Sequence, residues 1–156
     1  MAPNKLIGVI GSRDCDEETY ERARRVGELL AQRGFGVICG GLSGVMEAAC
    51  KGAAEAGGFT IGVLPGDTPD SANPYVQFRI ATGMGIARNV IIVRSSAAVI
   101  AVSGGPGTLS EIAHCLQLDV PIVGLRTHDV SPGIAQVSTP EEAVERAVAM
   151  AGGDPS

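Results

Sequence analysis

The chain has 156 residues, enough for one domain whose core buries about two-thirds of its unfolded surface. Its formal charge of −5 argues against nucleic acid or an anionic membrane as partner, since both demand basic patches, and leaves any anionic ligand to local donors. With no Trp, three Phe and two Tyr, the core must be Val, Ile, Ala and Gly, which favours close packing of helices on a sheet.

Leu6 to Ile10 is apolar throughout, the pattern of a strand buried on both faces, and Gly11-Ser12-Arg13-Asp14 leaves it as a loop. Asp16 is an N-cap for a helix that turns Tyr20, Ala23, Val26 and Leu30 inward and ends at Gly34. Phe35 to Cys39 is a second strand, followed by the glycine turn Gly40-Gly41-Leu42-Ser43-Gly44. A helix over 45–56 comes next, with Glu47 and Lys51 spaced as an i, i+4 pair. Thr60 to Leu64 is a third strand, 65–74 a surface loop, Val76 to Ala81 a weaker strand, and 85–95 a helix.

Val99 to Val102 is again a buried strand, and Gly104, Gly105 and Gly107 make the turn after it. Leu109, Ile112, Ala113 and Leu116 then recur with helical spacing. Ile122 to Leu125 is the next strand. Thr139-Pro140-Glu141-Glu142 opens the last helix, and 151–156 is expected to fray. Strands alternate with helices throughout, so the fold expected is a single α/β domain, Rossmann-like and doubly wound, with a mostly parallel sheet covered on both faces.

Such sheets bind ligands outside the carboxyl ends of their strands, where the loops at 11–14, 40–44 and 103–108 emerge. A strand, a glycine turn and a helix start present backbone N–H groups at the positive end of a helix dipole, a setting that suits phosphate. The phosphate-binding candidates are therefore Gly11, Ser12, Arg13, Gly40, Gly41, Ser43, Gly44, Gly104, Gly105, Gly107 and Thr108. Arg88, with Asn89 in an otherwise apolar segment, is a bidentate phosphate ligand in this reading. Thr108-x-x-Glu111 has two readings: a capping box, or a carboxylate turned to the ligand to hold a sugar hydroxyl or a water.

No P-loop is present, and Gly83-x-Gly85 lacks the rest of a dinucleotide fingerprint. Cys15, Cys39, Cys50 and Cys115 have neither CxxC nor zinc spacing, so reduced thiols and no metal site are expected. His114 reads as a surface residue, and His128 lies in a loop with no partner in view. No apolar run approaches the ~18 residues of a membrane span, and residues 6–10 are too short for a signal segment, so the expected location is the cytoplasm.

Gly40-Gly41-Leu42-Ser43-Gly44-Val45-Met46, Arg88-Asn89 and Gly104-Gly105-Pro106-Gly107-Thr108-Leu109-Ser110-Glu111 occur in that order. Together they resemble the Lonely Guy and "lysine decarboxylase-like" superfamily of Rossmann proteins, and within it the molybdenum cofactor carrier group. For the enzymes of that superfamily the resemblance implies release of a base from a nucleoside 5′-monophosphate, with Arg88 and Glu111 as the catalytic pair. An oxocarbenium-like centre stabilised by a carboxylate is compatible with that chemistry. Ser103 stands where the enzymes carry Pro, Asn89 where they carry Lys, and Cys39 where they begin a GGG run. The Ser12-Arg13 loop and the wording of 87–89 are closer to the carriers, which hold a phosphorylated pterin without turnover.

Three functions follow as expectations. The first is a binding or carrier protein for a phosphorylated nucleotide-like or pterin-like molecule such as molybdenum cofactor, with no cofactor required. The second is a nucleoside 5′-monophosphate N-glycosidase acting through Glu111 and Arg88. The third is an oligomerisation module whose glycine turns are purely structural. A homo-oligomer, dimer or tetramer, is expected from the resemblance.

Overall fold

Short runs of Val, Ile and Ala between glycine turns can be buried only as central strands. The computed structural model, which describes residues 5–155, arranges them so. The strands are β1 (Leu6–Gly11), β2 (Gly36–Cys39), β3 (Thr60–Leu64), β4 (Phe78–Ala81), β5 (Ala98–Val102), β6 (Ile122–Leu125) and β7 (Ala135–Val137). The helices are α1 (Glu17–Gln32), α2 (Val45–Glu55), α3 (Asn89–Ser95), α4 (Pro106–Gln117) and α5 (Pro140–Met150). All seven strands are parallel, in the order β4-β3-β2-β1-β5-β6-β7. The chain works outward from β1 to β4, then returns to lay β5 against the other side of β1. Connections leaving β1 and β5 diverge to opposite faces, and a crevice opens between their carboxyl ends.

Alternate residues of the central strands supply two cores. Ile7, Val9, Ile100 and Val102 pack under α1, α2 and α5. Leu6, Ile10, Val99 and Ala101 pack under α3 and α4. Small residues set the helix spacing on the first face. A Cβ at Gly27 would lie 1.9 Å from the Ala49 carbonyl oxygen, and one at Gly52 would lie 1.8 Å from that of Arg24. Thus α1 and α2 touch backbone to backbone.

Local start signals decide several ends. Asp16 accepts the Thr19 N–H at 2.8 Å to begin α1, and Thr139 accepts the Glu142 N–H at 3.2 Å to begin α5, with Pro140 in its first turn. Gly34, at φ 84°, follows α1. At the other end of the chain, Arg33 pairs with Asp154 and Glu145, and Lys5 donates to the Ala151 carbonyl, so residues 151–155 lie against the start of β1 and the end of α1. Residue 156 lies outside the described residues.

Some expectations change. β4 begins at Phe78 and not Val76: the Gln77 N–H is taken by the Thr60 hydroxyl, which keeps the preceding residues out of the ladder. The expected helix over 85–95 is divided into a 3₁₀ turn (Gly85–Arg88), which Gly85 enters at φ 59°, and α3 (Asn89–Ser95). Glu47 accepts the Tyr20 hydroxyl at 2.8 Å and makes no ion pair with Lys51 among the described residues. His114 is half-buried, and its Nδ1 is enclosed without a hydrogen-bond partner among the described residues. β7 was not expected. Edge strand β4 is exposed along its whole length, and Phe78 meets Phe59 edge-on at 6.2 Å. No helix of the described residues is long and apolar enough to cross a membrane.

Candidate functional site

A cavity of about 490 Å³ opens where β1, β2 and β5 end. It brings together Gly11, Ser12, Arg13, Gly40, Arg88, Asn89, Gly105, Gly107, Thr108 and Glu111 from the predicted set. Gly41, Ser43, Gly44 and Gly104 are not on its wall, and each has a structural task. The Gly41 carbonyl accepts the Asn73 N–H at 2.9 Å, and the Ser43 hydroxyl donates to the Arg13 carbonyl at 2.9 Å. A Cβ at Gly44, at φ 66°, would lie 2.4 Å from the Ser12 carbonyl oxygen. Most of the 40–44 turn therefore props the Ser12-Arg13 loop against the start of α2. Asp14, Leu42, Met46, Pro65, Gly85, Ile86 and Pro106 complete the wall. Its apolar part comes from Leu42, Met46, Pro65 and Ile86, and no aromatic side chain among the described residues lines it.

The turn after β5 is shaped by backbone. Ser103 lies at φ 52° and Gly104 at φ 120°, two successive residues in the left-handed region. A Cβ on Gly104 would come within 2.5 Å of the Thr108 side chain. α4 starts at Pro106 with Gly105 as N-cap and no side-chain cap. Its first intrahelical bond is from the Leu109 N–H to the Gly105 carbonyl, 3.0 Å, which leaves the N–H groups of Gly107 and Thr108 unused by the helix. Both residues line the cavity, at the positive end of the helix dipole.

This start corrects two sequence readings. Thr108 is the third helical residue and not the N-cap, so Thr108 and Glu111 do not form a capping box. Nor does α4 bury the stripe Leu109, Ile112, Ala113 and Leu116. It buries Thr108, Glu111, Ile112 and Cys115, leaving Leu109 and Ala113 exposed. The helix is rolled about one residue toward the cavity, and the rotation carries a carboxyl group inside.

Glu111 is only 8% exposed, and none of the hydrogen bonds or ion pairs among the described residues engages its carboxyl. Burial pushes its pKa up to about 8, with the Arg88 charge acting in the opposite direction. Arg88 is equally buried, and burial draws its guanidinium below the ordinary value, while Glu111 opposes that shift. Its Nε donates to the Val63 carbonyl (3.0 Å), its Nη2 to the Gly40 carbonyl (3.5 Å) and its Nη1 to Asn89 Oδ1. Arg88 thus ties the ends of β2 and β3 to α3, with two of its five N–H bonds left over. Arg13 is exposed at the mouth of the cavity.

Below the floor, Cys39 Sγ accepts the Gly41 N–H at 3.3 Å and lies 3.5 Å from Cys50 Sγ; both thiols are free. Two further residues support the turn: Thr127, which the sequence did not single out, and His128, which was expected to have no partner. The Thr127 hydroxyl donates to the Ser103 carbonyl at 2.6 Å, and His128 Nε2 lies 3.3 Å from the Gly105 carbonyl oxygen.

Residues 4–151 match the model of the SLOG cluster4 family. The chain belongs to that family. A relative from Archaeoglobus fulgidus, described only as an uncharacterised protein, is 53% identical over 138 residues, which is 88% of this chain and 91% of that one. Among solved structures, the fold is similar to the molybdenum cofactor binding protein of Rippkaea orientalis, with 35% identity, a TM-score of 0.87, and coverage of 92% of this chain and 94% of that one. It is similar to the molybdenum cofactor carrier protein of Chlamydomonas reinhardtii at 34% identity and a TM-score of 0.87, over 96% of this chain and 99% of that one. The SLOG cluster4 chain therefore shares its whole fold with carrier proteins, as the motif order led us to expect.

Proposed function

We propose that this chain binds a phosphorylated small molecule of pterin or nucleotide type in the cytoplasm and holds it without turnover. The ligand class is that of molybdenum cofactor, for which the Rippkaea and Chlamydomonas proteins are named. The observation that carries the reading is the uncapped start of α4, whose Gly107 and Thr108 N–H groups open onto a cavity of about 490 Å³. That volume suits a nucleotide-sized molecule. Arg13 and Ser12 face the same space and supplement the backbone donors, while Leu42, Met46 and Ile86 receive the less polar end.

The exposed apolar side chains Phe78, Ile80, Met84 and Ile86 cluster on β4 and the turn after it. We assign that segment to contact between copies in a homo-oligomer, which sedimentation equilibrium tests directly.

Thermal unfolding with added AMP, CMP, GMP, IMP and molybdenum cofactor tests the site. A ligand that binds the native state raises the melting temperature, and the carrier reading expects no free base or ribose 5-phosphate in the same samples. Base release abolished by both Glu111→Ala and Arg88→Ala would replace the carrier with an N-glycosidase. Melting curves unmoved by every one of these compounds would remove both.

A further inference from the structure

A carboxyl group beside an anion site is repulsive unless a hydrogen lies between the two. Thr108 and Glu111 are three residues apart on α4, hence neighbours on one helix face, and both are buried there. Helical side chains lean toward the N-terminus, so Glu111 is directed at the turn that carries the free Gly107 and Thr108 N–H groups. Nothing within the chain answers it: the carboxyl has no hydrogen-bond or ion-pair partner among the described residues, and Arg88 spends three N–H bonds on Val63, Gly40 and Asn89. Its oxygens are not sealed off as His114 Nδ1 is, so they open onto the cavity, where an entering molecule can complete them.

We infer that Glu111 shares one hydrogen with the bound anion, so that with the carboxyl ionised the site selects oxyanions that carry a donor hydrogen at or beside the charge and turns away isosteric sulfate. The inference rests on the phosphate-binding reading above and adds to it the feature that chooses among anions. Hydrogen phosphate brings a P–O–H; a phosphate ester of a polyol brings a neighbouring hydroxyl. Sulfate brings neither. Arg88 is the charged group that bears on Glu111, and the thiols of Cys39 and Cys115 lie near enough to feel it.

The test is calorimetric titration with inorganic phosphate and with sulfate at pH 9, above the value of about 8 to which burial pushes the Glu111 carboxyl. Both anions are then divalent, and only phosphate carries a hydrogen. The full chain is expected to prefer phosphate by about tenfold or more, the scale of one lost charge-assisted hydrogen bond. Glu111→Gln, whose amide donates to either anion, is expected to bring the ratio near one, chiefly by admitting sulfate. The wild-type comparison stands without the variant.

Methyl phosphate and ribose 5-phosphate distinguish the source of the hydrogen, because both esters are dianions without P–O–H at that pH. Ribose 5-phosphate grouping with phosphate, and methyl phosphate with sulfate, identifies a neighbouring hydroxyl. Both esters grouping with sulfate identifies the phosphate's own hydrogen. Equal binding of phosphate and sulfate by the wild type overturns the inference and leaves the phosphate site standing, as does methyl phosphate binding as tightly as phosphate. Binding of none of the four overturns both.

Discussion

The guanidinium of Arg88 lies on the same cavity wall as the Glu111 carboxyl, but its Nε and Nη2 are turned to the carbonyls of Val63 and Gly40, 3.0 and 3.5 Å away. Opposite charges in a shared cavity ordinarily pair. Here the carbonyls at the ends of β3 and β2 take the cation, and the acid remains for whatever enters. The arrangement separates two residues that the family resemblance pairs as catalytic: Arg88 organises the strand ends, and Glu111 lines the cavity without a partner among the described residues.

Because burial raises the Glu111 pKa to about 8, the folded chain retains a proton that the unfolded chain releases near the ordinary carboxyl value. Between about pH 4.5 and 8 the native state therefore binds more protons, and stability falls as pH rises. Glu111→Gln should flatten that slope and be the more stable protein at pH 8, by up to about 5 kcal/mol if the whole shift is realised. Urea unfolding of both proteins from pH 5 to 9 measures it; parallel curves would contradict the assignment.

Arg88→Ala deletes three hydrogen bonds and leaves the Val63 and Gly40 carbonyls without that donor, at a cost of about 3–5 kcal/mol. Arg88→Lys keeps the charge but not the fork, and should recover less than half of the loss. Denaturation midpoints at constant m-value give the comparison.

A Cβ added at Gly107 would meet no atom within 4 Å, and the residue lies in the first turn of α4. Gly107→Ala should leave stability unchanged or raise it by up to about 1 kcal/mol, yet it places a methyl group inside the cavity and weakens phosphate binding. Gly104→Ala should do the reverse kind of damage, destabilising the fold through contact with Thr108 at a φ of 120°. Melting temperatures with and without phosphate separate the two.

Thr127 does not line the cavity, but its hydroxyl holds the carbonyl of strained Ser103. Thr127→Val should cost about 1 kcal/mol and quicken amide exchange at 103–107, and Thr127→Ser should restore both. Exchange confined to the rest of the chain would show the hydroxyl to be idle.

Where chemistry is local, the sequence was informative. Asp16 and Thr139-Pro140 mark the starts of α1 and α5 because a cap is a contact among near neighbours. The buried runs of β1 and β5 and the glycine turn after β5 likewise mark the sheet edge where the cavity opens. The face of α4 was misread because apolar spacing assumes that buried means apolar, whereas this helix buries Thr108 and Glu111 toward a cavity. β7 has three residues, none fully buried, and no alternation to betray it. The Thr127–Ser103 and His128–Gly105 contacts join residues 24 and 23 positions apart, and no local pattern signals them.

The contact of α1 with α2 through Gly27 and Gly52 bears on how the site meets its ligand. Helices that touch main chain to main chain leave no room between them for a side chain, and Gly44, the N-cap of α2, is wedged against Ser12 and Arg13. The loops after β1 and β2 are therefore braced against each other. Ligand capture should need little reorganisation, so the entropy lost on association falls mainly on the incoming molecule and on the Arg13 side chain at the entrance.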